Sequence, residues 1–206
     1  MTGRIAFALV LAGVLLLAAS GPAVRLGLVP FGVGILMLPA AGVLGLAAAI
    51  LALGALLRGA GAARALIALI LGLAIAAVPA AGYVLARSAP RINDISTDPQ
   101  EQSEEQRKAY PDIQPLRLQM APNIAFERAK GAIEEAGWQL AREDASAGRI
   151  EAVATTFWFG FKDDVVVRVA GDGSGSRVDV RSKSRVGKGD LGTNAQRIRT
   201  YQKRLQ

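Results

Sequence analysis

Three long apolar stretches fill the first 87 residues of this 206-residue chain. They run from about residue 5 to 24, from 31 to 57 and from 65 to 86, and the arginines of this region stand only at their ends. A helix of about 20 apolar residues crosses the hydrocarbon core of a bilayer. The pattern therefore predicts three transmembrane helices. Ala41, Gly45 and Ala49 recur at every fourth position, a spacing that permits close helix packing and that also arises by chance in a chain rich in Ala and Gly.

The first stretch has a second interpretation, because Arg4, a short apolar run and small residues at 18–20 are also typical of a secretory signal peptide. We favour a retained helix, since the chain stays largely apolar from residue 21 to 28. The arginines divide evenly between the two sides of the membrane, three on each, and the N-terminal amine favours an N-terminus inside and residues after 87 outside. The predicted location is the inner membrane of a bacterium, with the C-terminal domain on its periplasmic or outer side.

The polar pattern changes twice after residue 87. Residues 88–122 contain five of the nine prolines and predict an extended, Pro-rich tether. From 123 a helical repeat of apolar residues ends at Gly137, and strands are predicted at 138–142, 149–156, 164–170 and 177–186 before a last helix at 194–205. Residues 123–206 are thus predicted to form a small α+β domain, an antiparallel sheet of about four strands with two helices on one face.

Two connections between the predicted strands have distinctive compositions. Gly171–Gly175 is glycine-rich, but a phosphate-binding loop leads into a helix and this segment leads into a strand, so we predict a plain hairpin. Phe157–Phe161 contains four aromatic residues. We expect them to pack in or partly in the core, and the alternative is the lipid interface, which favours Trp.

Composition limits the chemistry that the chain can perform. It has no Cys and no His, which excludes disulfides, thiolate nucleophiles and the Ser-His-Asp triad. No metal site and no cofactor are predicted. From residue 87 onward, 20 bases and 17 acids leave a net charge of only +3, too little to predict binding to nucleic acid.

The order and spacing of several segments resemble the bacterial and plastid domain-of-unknown-function family 1499. The resemblance implies a domain often attached to membrane helices, and it implies no established activity. One difference is the polar segment Gln100–Gln106, where the family usually has a proline-containing stretch. The segments that carry the resemblance are Arg91–Asp98, Tyr110–Leu116, Gly137-Trp138, Asp163–Val169 and Val178–Ile198.

Basic residues are concentrated in the terminal block, where residues 177–206 contain nine bases and two acids. Such a block can bind an anion beside glycines and exposed amides at a helix start. The predicted anion ligands are Arg181, Arg185, Lys188, Arg197 and Asn194. The predicted supporting or structural residues are Asp94, Asp98, Asp164, Arg168, Asp179, Ser182, Ser184, Gly187, Asp190 and Gly192. The alternative is a cross-strand salt ladder that only stabilises the sheet.

Two functional hypotheses follow. The leading one is a membrane-anchored envelope protein, a non-enzymatic binding module for an anionic ligand, a lipid headgroup or an envelope protein, with the lipid bilayer as its constant partner. The alternative is a hydrolase or transferase that acts on a membrane-proximal substrate through carboxylates or a Ser/Lys pair. The absence of a recognisable catalytic constellation in the sequence favours the first.

Overall fold

A computed structural model describes residues 2–59 and 61–206. These residues form two compact units. One unit runs to Ser88 and includes Phe157–Gly160, and the other comprises Ala89–Thr156 and Phe161–Gln206.

The first unit contains the three predicted apolar helices, which are confirmed. They are α1 (Thr2–Arg25), α2 (Phe31–Leu57) and α3 (Ala62–Ser88). Each is long and apolar enough to cross a membrane. Their outward-facing leucines and isoleucines are exposed, as expected of side chains that contact lipid.

Helices α2 and α3 approach so closely that their backbones touch at glycine. A Cβ added to Gly45 would lie 2.6 Å from the carbonyl oxygen of Gly72, and a Cβ added to Gly72 would lie 2.6 Å from the carbonyl oxygen of Gly45. Ala41 and Ala49 on the same face of α2 are buried. The small residues noted in the sequence therefore serve packing within the chain.

The second unit is an α+β domain, and its antiparallel sheet has six strands within the described residues. The sheet order is β1-β6-β5-β4-β3, and β2 pairs with the same edge of β6 as β1. The strands are β1 (Asp94–Ser96), β2 (Leu116–Leu118), β3 (Gln139–Asp144), β4 (Arg149–Thr155), β5 (Lys162–Asp172) and β6 (Gly175–Ser184). The helices are α4 (Glu104–Ala109), α5 (Pro122–Glu135) and α6 (Thr193–Leu205).

The predicted arrangement of two helices on one face of an antiparallel sheet is confirmed. Alternation along β5 and β6 buries Val165, Val167, Val178 and Val180 on one face of the sheet. Helices α5 and α6 cover this face with the apolar stripes expected from the sequence. Their buried residues include Phe126, Ala129, Ile133, Ala195, Ile198, Tyr201 and Leu205. The glycine-rich segment between β5 and β6 is a hairpin, as predicted.

The segment 88–122 is more ordered than an extended tether, because it contains β1, α4 and β2. The side-chain amide of Gln106 accepts a hydrogen bond from the Ser96 backbone N–H (3.1 Å) and donates one to the Ser96 carbonyl (2.6 Å). Ser103 caps α4 by accepting from the Gln106 N–H (3.0 Å). Ile95 and Ile113 are fully buried in the domain core. The three-residue strands are too short for a period of two to be visible in the sequence.

The aromatic segment between β4 and β5 does not join the domain core as a whole. Phe157 is 85% exposed, so the expectation of core or partly buried packing was wrong for this side chain, whereas Trp158 is 43% exposed and therefore partly buried. Phe159 and Phe161 are half-buried. Within the helical unit, the Trp158 indole N–H points at the Ser20 hydroxyl at 3.4 Å.

Gly45→Ala is expected to destabilise the helical unit, because the new Cβ would overlap the Gly72 carbonyl oxygen. Overpacking of this kind costs about 1–3 kcal/mol. Gly32→Ala is the matched control in the same helix, since nothing lies within 4 Å of its added Cβ. Thermal unfolding of the full chain in neutral detergent, followed by circular dichroism, compares the two variants. Equal midpoints would contradict the backbone contact described here.

Candidate functional site

Three chain segments of the domain meet at one end of the sheet. Asp163 near the start of β5 is paired with Ser184 at the end of β6. The chain also enters the domain here, since the Asn93 carbonyl accepts from the Ser184 N–H at 2.8 Å. Residues 185–192 lead from β6 into α6 at the same end. We call this region, made of residues 89–93, 161–163 and 184–194, the entry end.

A buried ion pair lies between α6 and the sheet at the entry end. The Arg197 guanidinium donates to the Asp163 carboxylate at 2.5 Å, and the two side chains are only 10% and 3% exposed. Arg197 also donates to the Ser182 hydroxyl at 2.9 Å. A buried charge of this kind is tolerated because its partner and further hydrogen bonds replace water.

Asn194 completes this cluster and is itself fully buried. Its side-chain oxygen accepts from the Ser182 hydroxyl (2.6 Å) and from Arg197. Its side-chain amide donates to the Ser184 hydroxyl (2.9 Å) and to the Asn93 carbonyl (3.1 Å). Asn194 and Arg197 therefore bind protein groups that join β1, β5, β6 and α6, and an anion would have to compete with the Asp163 carboxylate.

Asp190 fixes the start of α6. Its carboxylate accepts from the Gly192 N–H at 2.9 Å and from the Asn194 N–H at 2.7 Å. Asp190 therefore binds amides of its own loop and of the first turn of α6. The helix amides that could have received an anion are thus capped by a carboxylate of the chain.

The opposite face of the sheet carries charged side chains, which alternate along β5 and β6 with the buried valines. Arg181 binds Asp94 through two hydrogen bonds of 2.8 and 2.6 Å, and Lys183 lies 3.3 Å from the same carboxylate. Arg185 binds Asp164 at 2.6 Å in an exposed pair. These arginines and the acids predicted as supporting residues form the ion pairs of a ladder.

The tether contributes further rungs to this ladder. Arg168 donates to Glu101 at 2.6 Å, and Arg177 lies 3.6 Å from Asp98 and 2.7 Å from Asp179. Glu101 was not singled out in the sequence, because its partner lies 67 positions away and no local pattern connects them. The roles proposed for the ladder residues in ligand binding stay predictions.

Exposed cations gather on the surface of the entry end. Lys188 lies in the loop where the Gly187 carbonyl accepts from the Asn93 amide at 2.6 Å. Arg91 lies against the same loop, since a Cβ on Gly189 would be 3.3 Å from the Arg91 Cα. Lys162 follows on the neighbouring strand, where its carbonyl accepts from the Arg185 N–H at 3.2 Å. Over the described residues, none of these three exposed cations forms an ion pair.

A Ser/Lys pair is not assembled by β6. Lys183 and Ser184 are neighbours in an extended strand, so their side chains point to opposite faces of the sheet. Lys183 pairs with Asp94, and Ser184 accepts from the Asn194 amide on the buried face. In the described part of the chain, no three His, Cys, Asp or Glu residues are grouped to hold a metal ion.

The chain therefore consists of three apolar helices followed by a small α+β domain, and the segment between them pairs with β6 through β1 and β2. Residues 91–205 match the family described as protein of unknown function (DUF1499), and the chain belongs to this family. No curated protein matches the chain. The match begins at Arg91 in the entry end and covers the sheet, the ladder and the buried Asn194 cluster.

Arg197→Met is expected to lower the free energy of unfolding by about 3 kcal/mol, because it leaves the buried Asp163 carboxylate without its cation. Adding Asp163→Asn removes that charge and should restore a large part of the loss. Denaturant unfolding of the full chain in detergent measures both variants. If Arg197→Met left the free energy of unfolding unchanged, the pair would not hold α6 to the sheet.

Asp94→Asn is expected to destabilise the domain in a pH-dependent way. Hydrogen bonds from Arg181 hold the pKa of Asp94 below its usual 3.8, so the pair contributes fully at neutral pH and is lost as pH falls through the lowered value. Both side chains are partly exposed, and the expected loss at pH 7 is about 1 kcal/mol. The difference in unfolding midpoint between wild type and variant should be largest at neutral pH and should decrease as the pH falls below 3.8, the usual pKa of an Asp carboxyl. A constant difference between pH 7 and pH 3 would contradict this assignment.

Proposed function

We propose that the protein is a non-enzymatic binding module, anchored in the inner membrane of a bacterial envelope, whose entry end binds an anionic ligand. The ligand that the chemistry favours is the phosphate of a lipid headgroup. The proposal rests on one observation, the gathering of the exposed cations Arg91, Lys162 and Lys188 at the end of the sheet where the chain enters the domain. The domain is proposed to lie on the periplasmic or outer side.

The length of the connection supports a lipid ligand. Arg91 follows Ser88, the last residue of α3, by three residues. Three extended residues reach at most about 11 Å. Helix α3 has 27 residues and is about 40 Å long, more than the roughly 30 Å of a hydrocarbon core. If α3 crosses the bilayer, the backbone of Arg91 is therefore at or near the headgroup layer.

The ion pairs show which of the predicted anion-binding side chains are available to a ligand. Arg181 and Arg197 are bound by Asp94 and Asp163, whereas Lys188 is exposed and Arg185 belongs to an exposed pair. An exposed ion pair contributes at most about 1 kcal/mol, so Arg185 can exchange its carboxylate for a phosphate at little cost. A basic residue near an anionic membrane surface contributes about 1 kcal/mol, and salt screens it.

The proposal predicts that Arg91→Gln combined with Lys188→Gln weakens binding of an anionic lipid about tenfold, as two surface cations at about 1 kcal/mol each allow. The probe is dihexanoylphosphatidylglycerol, titrated into the full chain in neutral detergent and compared with dihexanoylphosphatidylcholine. Wild type should prefer the anionic lipid, and the preference should decrease with added salt.

The matched control is Lys203→Gln combined with Arg204→Gln. It removes the same charge from the last turn of α6. This helix has 13 residues, so its last turn lies about 20 Å from its start at the entry end. It should retain most of the affinity. No preference of wild type for the anionic lipid, or equal losses in both double variants, would contradict the proposal and would favour the envelope protein as partner.

A further inference from the structure

A groove opens at the hairpin end of the sheet, where β5 continues past the first residue of β4. Strand β4 begins at Arg149, which pairs with Arg168, so Val169–Asp172 of β5 have no partner in β4. The groove lies between this extension, the turn that joins β3 to β4 and the start of α5, and its volume is about 290 Å³. It is contained in the α+β unit, at the opposite end of β5 from the entry end.

The backbone of Gly171 lines this groove with both of its hydrogen-bonding groups unpaired. The Val169 N–H points away from β6, since it donates to the Gly148 carbonyl at 2.7 Å. Backbone groups alternate in direction along a strand, so the N–H and the carbonyl of Gly171 point the same way. Among the residues that the structure describes, neither group has a hydrogen-bond partner. This short strand edge can therefore pair with an extended backbone.

Neither packing nor backbone conformation requires a glycine at position 171. A Cβ added there would make an ordinary van der Waals contact, 3.7 Å from the Pro122 Cγ. The φ of Gly171 is not positive, so another residue type could adopt it. A glycine weakens the interior of a strand, and it often marks a place where another backbone approaches closely. Pairing of a second chain with this edge accounts for the residue type.

The pleat of β5 sets the direction of any side chain that pairs here. Val169 points to the helix-covered face and is buried, and position 171 lies on the same face. A residue paired opposite Gly171 would direct its side chain to this face as well, toward Phe126 and Glu127 of α5, which line the groove. Phe126 is buried and provides an apolar floor.

Glu127 gives the groove its charge. It is exposed, and it is the one charged residue among those that line the groove. Over residues 2–59 and 61–206 its carboxylate forms no hydrogen bond and no ion pair. The groove thus presents a negative charge beside an apolar floor and an unpaired strand edge.

We propose that this groove binds an extended segment of a protein partner by strand addition at Gly171, with an arginine or lysine of that segment paired to Glu127. Charge complementarity identifies a basic side chain, since the lining residues include one carboxylate and no base. The aliphatic part of such a side chain would cover Phe126 and Val169. The volume is at the lower limit of small-molecule sites, about 300 Å³, and suits one long side chain.

The site goes beyond the proposed anion binding, because it lies at the other end of the sheet and selects the opposite charge. The probe is the fluorescein-labelled peptide amide Gly-Ser-Val-Arg-Val-Ser, and its fluorescence polarisation is followed as full chain in neutral detergent is added. One comparison peptide has Gln in place of Arg. Another is N-methylated at the Arg, which removes the N–H that would donate to the Gly171 carbonyl. Wild type should bind the first peptide about fivefold more tightly than either comparison peptide.

Glu127→Gln should weaken binding of the Arg peptide about fivefold and leave binding of the Gln peptide unchanged, because only the charge is removed. Glu134→Gln is the matched control, since Glu134 is exposed on the same helix and does not line the groove. It should retain the wild-type affinity. Gly171→Val should weaken binding of both peptides, because its side chain occupies space beside Pro122 without a clash that would unfold the domain.

Amide hydrogen exchange, followed by mass spectrometry, locates the bound peptide. Saturation with the Arg peptide should slow exchange in Val169–Asp172 and leave residues 185–192 at the entry end unchanged. Equal binding of the Arg peptide and its N-methylated form would overturn strand addition, and equal losses in Glu127→Gln and Glu134→Gln would overturn the role of Glu127.

Two further results would overturn the proposal as a whole. One is the absence of saturable binding of the Arg peptide by wild type below about 1 mM. The other is self-association of the chain that Gly171→Val abolishes, which would assign the groove to a second copy. The anionic-ligand proposal is tested separately, because Arg91 and Lys188 are unchanged in all of these variants and the lipid titration contains no peptide.

Discussion

Strand β6 imposes the constraint on which the rest of the domain depends. It lies inside the sheet, and its side chains alternate between an apolar face and a basic face. The apolar face, with Val178 and Val180, needs apolar partners. The basic face needs carboxylates, because it carries Arg177, Arg181 and Lys183. Its first edge is paired with β5, and among the residues that the structure describes its second edge is paired by β1 and β2 alone. The segment before the domain therefore completes the sheet, and the chain 89–122 is part of the fold rather than a spacer.

This completion fixes where the chain enters the domain. Asn93 binds the Ser184 N–H, the Asn194 amide and the Gly187 carbonyl, so one residue joins the tether to the end of β6, to α6 and to the loop between them. The entry point and the end of β6 are thus one place in the structure. Because α3 ends at Ser88, any membrane that α3 crosses is within a few residues of the same place.

The sequence predicted the elements whose pattern is local. The apolar helices, the strands of the β3–β6 meander and the stripes of α5 and α6 are each visible as a period over several residues, and the structure confirms them. The short strands β1 and β2 were missed because three residues carry no period. Helix α4 was missed because its stability depends on Gln106 binding the backbone of Ser96, a contact that no propensity encodes.

The candidate site was harder to predict for a related reason. Alternation along β6 puts Arg181 and Asp179 on one face of the sheet. It does not reveal the partners Asp94 and Glu101, which reach that face from the tether. Arg91 and Lys162 were not singled out, since each is an isolated cation in the sequence. They become neighbours of Lys188 and Arg185 only when the sheet brings the tether and two strand ends together.

The distribution of charge explains why the entry end differs from the basic sheet face. Six cations and six carboxylates form the ladder on that face, so its charges cancel despite the excess of bases in residues 177–206. The ladder consists of Arg149, Arg168, Arg177, Arg181, Lys183 and Arg185 with Asp94, Asp98, Glu101, Glu151, Asp164 and Asp179. Arg197 and Arg199 on α6 are bound in the same way by Asp163 and Asp112. Because the tether supplies several of these acids, its docking neutralises the sheet face and leaves positive charge concentrated at the entry end, in the same loop as the exposed Leu191.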